Sequence, residues 1–168
     1  MISKTSLINR SRYSVTHHAF IGFALFEGAG RKAEGHVKYL HLHEHERHPD
    51  VYTEVERVVL DYTAKVTVDA HGVTDDEFRR LKQTLAADSK KDPRLAALAP
   101  APFDRHVDAR IVELTWLIGQ FCLLNRWFTV LQVPDEGAQD EDNFLAVYAQ
   151  VVPADIRDRN DRLLAGGF

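Results

Sequence analysis

Ser11-Arg12-Tyr13-Ser14-Val15-Thr16-His17-His18 opens a run that continues through Phe20, Ile21, Phe23, Ala24, Leu25 and Phe26 to Gly28 and Gly30. Apolar side chains cover much of its circumference, which predicts a central helix over residues 13–29 with the glycines as its stop. Residues three and four apart share a helix face, so Ser14 and His18 can share a pocket, with Ser11 one turn earlier. His17 points elsewhere on the helix; solvent, a subunit interface and the site are all open to it.

Outward from this stretch the pattern stays helical. A helix is expected over Lys32–Arg47, halting before Pro49. Thr53-Glu54-Val55-Glu56 has the capping-box form and leads into Val55, Val58, Val59, Tyr62 and Val66 at helical spacing. Thr74-Asp75-Asp76-Glu77 repeats the box before Phe78, Leu81 and Leu85. Residues 88–103 read as a surface linker, and no helix is expected to cross Pro100 and Pro102. Asp104 is the expected cap of a long helix whose Val107, Ile111, Leu114, Ile118, Phe121 or Cys122, Asn125 and Phe128 follow one face up to Pro134. After Asp135 the chain is acidic, then apolar from Phe144 to Val152, and reads as an appended helix or a docking arm. The fold class is all-α, with a core domain over 1–134 and a C-terminal extension over 135–168.

At 168 residues the chain suits one domain with one substantial core. With 21 basic against 25 acidic residues and a net charge of -4, nothing draws it to nucleic acid or an anionic membrane. The apolar stretches are interrupted by charged residues and histidines, and no leader pattern is seen at the N-terminus, so a cytoplasmic location is expected. The single cysteine, Cys122, excludes an intrachain disulfide and a cysteine-based metal site; its apolar surroundings suggest a structural role.

The frame Ser11-x-x-Ser14-x-x-x-His18 resembles the C-x-x-C-x-x-x-H motif of the alkylhydroperoxidase D-like and carboxymuconolactone decarboxylase superfamily. A second anchor is Ile111-Val112-Glu113-Leu114-Thr115-Trp116-Leu117-Ile118-Gly119-Gln120-Phe121-Cys122-Leu123-Leu124-Asn125-Arg126-Trp127, which is similar to a helix of peroxidase-related members that lack the cysteine pair. Glu56–Thr63 and Val73–Phe78 match the usual middle helices, so the resemblance covers about residues 1–134 in order. It implies an AhpD-like helical fold and homo-oligomers, commonly trimers or hexamers. Serines stand at both cysteine positions, so peroxide attack and disulfide closure are lost there. The glutamate that completes the family's proton relay would lie upstream of Met1.

What the resemblance retains is His18, and with it the chemistry of decarboxylase-like members, which use a histidine for proton transfer without metal or redox cofactor. His18 is thus the expected general acid/base on a small carbonyl acid or lactone, with Tyr13 and Ser14 shaping the pocket. Phe20, Phe23 and Trp116 are expected as a wall that desolvates the imidazole. Asn125, a polar residue on an apolar face, would bind a substrate oxygen or His18, or only bridge helices; His17 and Trp116 complete the candidate binding set. Glu113 could replace the missing acid and Arg126 clamp an anion. No cofactor is expected. His41, His45 and His48, with Glu44, offer a metal alternative at i, i+4, i+7, weighed against a solvent-facing helix with coincidental histidines. Two rival functions stand beside the lyase-type reading: a hydroperoxide reductase working through Cys122 or a metal, and a non-catalytic ligand-binding or scaffold protein.

Overall fold

The computed structural model describes residues 1–135 and 144–166. Among them are helices and connecting turns with no strand: α1 (Ile2–Ile8), α2 (Arg12–Gly28), α3 (Lys32–His41), α4 (Glu54–Val68), α5 (Asp75–Ser89), α6 (Pro93–Ala96), α7 (Pro100–Val130), α8 (Phe144–Val151) and α9 (Ala154–Leu164), with short 3₁₀ turns at His45–Arg47 and Ala70–Gly72. The fold is all-α, as the periodicity predicts. Both capping boxes form. Thr53 and Thr74 each accept from the backbone N–H three residues on, while Glu56 and Glu77 accept from the Thr53 and Thr74 N–H groups.

Three apolar clusters make up the core. Val58 and Tyr62 of α4, Leu81 and Leu85 of α5, and Phe103, Val107, Ile111 and Ile118 of α7 form one. Leu7, Val15, Leu42, Tyr52, Leu60 and Leu163 form a second, and Ala19, Phe23, Tyr148, Val152 and Ile156 a third. Helices α8 and α9 therefore supply side chains to two of the three clusters. The acidic run that follows Asp135 lies outside the described residues.

Helix α1 has no counterpart in the periodic reading because its buried face is polar. Lys4, Thr5 and Ser6 are each at most 4 % exposed although the helix is only seven residues long. It packs against α2, α4, α7 and α9, and Thr5 and Thr67 meet at 3.4 Å. Phe78, expected on one side of α5 with Leu81 and Leu85, is exposed, whereas those two are buried.

Two boundaries differ from expectation. Helix α3 ends at His41 rather than running on to Arg47. The break turns His45 inward to Asp61 of α4, with Nε2 donating to Oδ1 at 2.9 Å, and the Lys4 ammonium donates to the His43 carbonyl within the break. At the other boundary, α7 starts at Pro100 and includes Pro102, with Ala99 as its cap; Asp104 lies inside it. Prolines are tolerated there because the first-turn N–H groups have no intrahelical acceptor, and the carbonyls that the rings would strike lie before the helix. The expected linker also contains α6, capped by the Asp92 side chain.

Helices α2 and α3 approach closely through two glycines. A Cβ at Gly22 would sit 1.8 Å from Tyr39 Oη, and one at Gly35 would sit 2.6 Å from the Phe26 ring. Tyr39 Oη also lies 3.0 Å from the His18 carbonyl, to which it donates, and 3.1 Å from Ser3 Oγ. Gly22→Ala is expected to displace that hydroxyl and destabilise the fold by about 1–3 kcal/mol in urea unfolding. Adding Tyr39→Phe should recover part of the loss; no loss in the single variant would refute the close approach.

Candidate functional site

The site is built where α2 crosses α7. The Tyr13 ring meets Phe128 at 4.6 Å and the His18 ring meets Phe121 edge-on at 4.8 Å. Residue numbers rise along α2 as they fall along α7, so the two helices are antiparallel and Asn125 lies between these contacts, at about the level of Ser14. Ser14 is fully buried, and Ser11 and Asn125 are each 1 % exposed.

Hydrogen-bond direction fixes the tautomer of His18. Its Nδ1 lies 2.7 Å from the Ser14 carbonyl, which can only accept, so Nδ1 carries the hydrogen. The same nitrogen is 3.1 Å from Ser14 Oγ; that hydroxyl lies 2.7 Å from Ser6 Oγ, which donates to the Ile2 carbonyl at 2.9 Å. The track His18, Ser14, Ser6 thus runs consistently outward and ends on a backbone oxygen, not on a carboxylate. Every hydrogen bond of the ring to a described residue is made through Nδ1, which leaves the Nε2 lone pair for a ligand. Burial holds the imidazole below the usual histidine range, with the bond to the Ser14 carbonyl and the neighbouring His17 acting in opposite directions. The neutral, base-competent ring is therefore the form favoured at pH 7.

Polar capacity is left over at the same crossing. Ser11 Oγ and both amide atoms of Asn125 are buried and bond to no described residue. Leaving such groups unpaired costs about 1–3 kcal/mol each, so they suit a ligand oxygen better than a passive core. Asn125 bridges neither to His18 nor to another described side chain. Asn125→Leu, which keeps the branched shape and replaces the amide O and N by methyl groups, is expected to raise unfolding stability by about 1–3 kcal/mol and to remove any hydrogen bond from this position to a ligand. A destabilised variant would show that the amide serves packing.

The other candidates fall elsewhere. His17 is sandwiched between Tyr13 at 4.0 Å and Phe144 at 3.9 Å, and its Nδ1 donates to the Tyr13 carbonyl. It ties α8 to α2 within one chain. Asp135 docks on the same side, accepting from Thr16 at 3.1 Å with His17 Nδ1 at 3.7 Å, and so does not take the place of the relay acid at His18. Trp116 is 63 % exposed, Phe23 is buried among Ala19, Tyr148 and Ile156, and the aromatic ring against His18 is Phe121. Glu113 is exposed with no bond to His18, and exposed Arg126 donates to the Cys122 carbonyl. Cys122 is half-buried, its Sγ 3.7 Å from Asn9 Nδ2.

The histidine-rich segment also regroups. Because α3 ends at His41, His45 does not share a face with His41 and His48; it is 2 % exposed and held by Asp61. Among the described residues, the set able to gather round a cation is His41, Glu44 and His48, with ligand atoms within 4.8 Å of one another. Glu44 already pairs with Arg159 at 2.7 Å, so a cation there must compete with a guanidinium.

A second group of polar side chains has no local sequence signal. Lys4, His45, Glu46, Asp61 and Arg80 line a cleft of about 640 Å³ between the α1, α4 and α5 side chains and the break after α3. A lysine in a short polar helix carries no sequence signal of burial. Only the packing of α1 beneath the break brings it to the His43 carbonyl and into one cleft with His45 and Asp61.

Comparison of the chain with protein-family models, with curated proteins and with solved structures gave no significant match. Among the described residues no helix is long and apolar enough to cross a membrane.

Proposed function

We propose that this chain is a cofactor-independent enzyme of the carboxymuconolactone decarboxylase-like kind, in an AhpD-like helical fold, acting on a small carbonyl acid or lactone. The observation that carries the reading is the His18 tautomer: Nδ1–H is committed to the Ser14 carbonyl, so Nε2 keeps its lone pair, at the same helix crossing that holds the unpaired Asn125 amide. Nε2 removes a proton next to the substrate carbonyl, and the oxygen, gaining charge, accepts from the Asn125 amide. When a β-keto acid loses carbon dioxide instead, Nε2 takes the carboxyl proton as the C–C bond breaks, and the imidazolium so formed gives that proton to the enolate carbon. Tyr13 lies against Phe128 at the far end of the crossing.

The test is turnover of β-keto acids and lactones by wild type and His18→Gln, with hydroperoxide consumption measured in parallel. Loss of turnover in the variant supports the assignment. Thiol-dependent peroxide consumption that vanishes in Cys122→Ser would replace it by the hydroperoxide reductase reading, and saturable binding without turnover would replace it by a ligand-binding role.

We propose further that the working form is a homo-oligomer, a trimer or hexamer. Helix α7 carries two apolar faces. Phe103, Val107, Ile111 and Ile118 face the core, while Val112, Trp116, Leu123, Trp127 and Val130, each more than half exposed, lie along the other side. At 1.5 Å per residue this outer stripe is about 27 Å long. Gly119 lies within it, and a Cβ there would meet nothing within 4 Å. A contiguous apolar stripe of this length on one helix suits helix-to-helix packing between copies.

A further inference from the structure

The cleft lined by Lys4, His45, Asp61 and Arg80 is separate from the α2–α7 crossing and has its own chemistry. Lys4 is 4 % exposed, an unusual burial for an amine, and its one hydrogen bond to a described residue is to the His43 carbonyl. The His45 ring is fixed by Asp61, with Glu46 Oε2 3.2 Å from its other nitrogen. Asp61 keeps about half of its side-chain surface open, so it is both oriented and accessible. Lys65 on the same wall is neutralised by Glu77 at 2.5 Å, whereas Arg80 makes no ion pair or hydrogen bond with a described residue.

We propose that this cleft is a second site, for a small keto acid, in which Lys4 forms an iminium with the ketone carbon while Arg80 holds the carboxylate. Asp61, across the cleft from Lys4, takes one proton from the ammonium through a bridging water; the free amine attacks the carbonyl carbon; a second amine proton moves to the alkoxide to give the carbinolamine. Protonated Asp61 then returns its proton to the hydroxyl, which leaves as water as the C=N bond forms. The ammonium and ketone have become an iminium and water, with charge and hydrogens conserved and no co-reactant needed. His45 is a positioning residue that acts through Asp61. Burial pushes the Lys4 ammonium below the ordinary lysine range, against the pull of Glu46, Asp61 and Glu44, which favours release of the first proton.

The experiment treats the full chain with pyruvate and sodium borohydride and reads intact mass and fragment ions. One reduced adduct per chain is expected on Lys4, with labelling lost in Lys4→Arg and slowed about tenfold or more in Asp61→Asn. Because Lys4 is buried, circular dichroism accompanies the first variant; should it unfold, fragment assignment in wild type and the rate in Asp61→Asn decide. No adduct, or an adduct spread over exposed lysines, overturns the site, and an unchanged rate in Asp61→Asn overturns the proton transfer. His18→Gln should trap pyruvate as wild type does, so this inference and the His18 reading fail separately.

Discussion

Replacing His18 with glutamine is expected to lower kcat/KM on a β-keto acid or lactone by about 10²–10⁴-fold, the usual worth of a positioned acid/base. Glutamine retains a polar group near the Ser14 carbonyl, so circular dichroism and the unfolding midpoint should stay close to wild type. Wild-type kcat/KM should rise with pH, because Nε2 must be unprotonated to accept a proton. The inflection should lie below the ordinary histidine value near 6.5, since burial disfavours the imidazolium. The same limb should disappear in His18→Gln. An activity that survives with its pH limb intact places the base elsewhere.

The second large effect concerns assembly. Trp116 and Trp127 are 63 % and 58 % exposed on the outer stripe of α7, and a buried interface tryptophan commonly contributes 2 kcal/mol or more, at order of magnitude. The pair Trp116→Glu with Trp127→Glu is therefore expected to convert a trimer or hexamer into monomer in size exclusion with light scattering. Monomer stability should change little because neither residue belongs to the core clusters. A wild-type chain that is monomeric over the accessible concentration range would end the oligomer proposal.

Ile21 and Leu25 are 47 % and 69 % exposed, and both lie on the helix that carries His18. An assembly that covers them would further dry the imidazole and lower its proton affinity. The pH limb measured for the double tryptophan variant should accordingly move toward the ordinary histidine value.

Much of the helical layout was legible from local signals. Thr53 and Thr74 announced α4 and α5 because a capping box is satisfied within four residues and needs no distant partner. The inner face of α7 was legible because Val107, Ile111, Ile118 and Asn125 recur at helical spacing and are buried together. Proline chemistry misled at Pro100 and Pro102, since the same residues that break a helix interior are compatible with its first turn.

The site was legible only in part. That Ser14 and His18 bond follows from a spacing of four on a helix. The partner Ser6, the ring of Phe121 and the level of Asn125 depend on how α1 and α7 cross α2, and residue spacing within one helix carries no information about that crossing. Trp116 looked like a pocket wall because its apolar character is visible in the sequence and its direction is not; α7 is apolar on two sides.

The sequence by itself determined the all-α class, the starts of α2, α3, α4 and α5 and the alignment of serine with histidine, because each depends on turns of helix a few residues long. Tertiary structure alone decided that a polar α1 is packed among four other helices, that α3 breaks after His41, and that Lys4 lines one cleft with His45 and Asp61. The physical reason is that burial of a lysine or a histidine is set by partners from distant segments: a charged side chain enters the interior only where another segment's carbonyl or carboxylate is already placed to receive it.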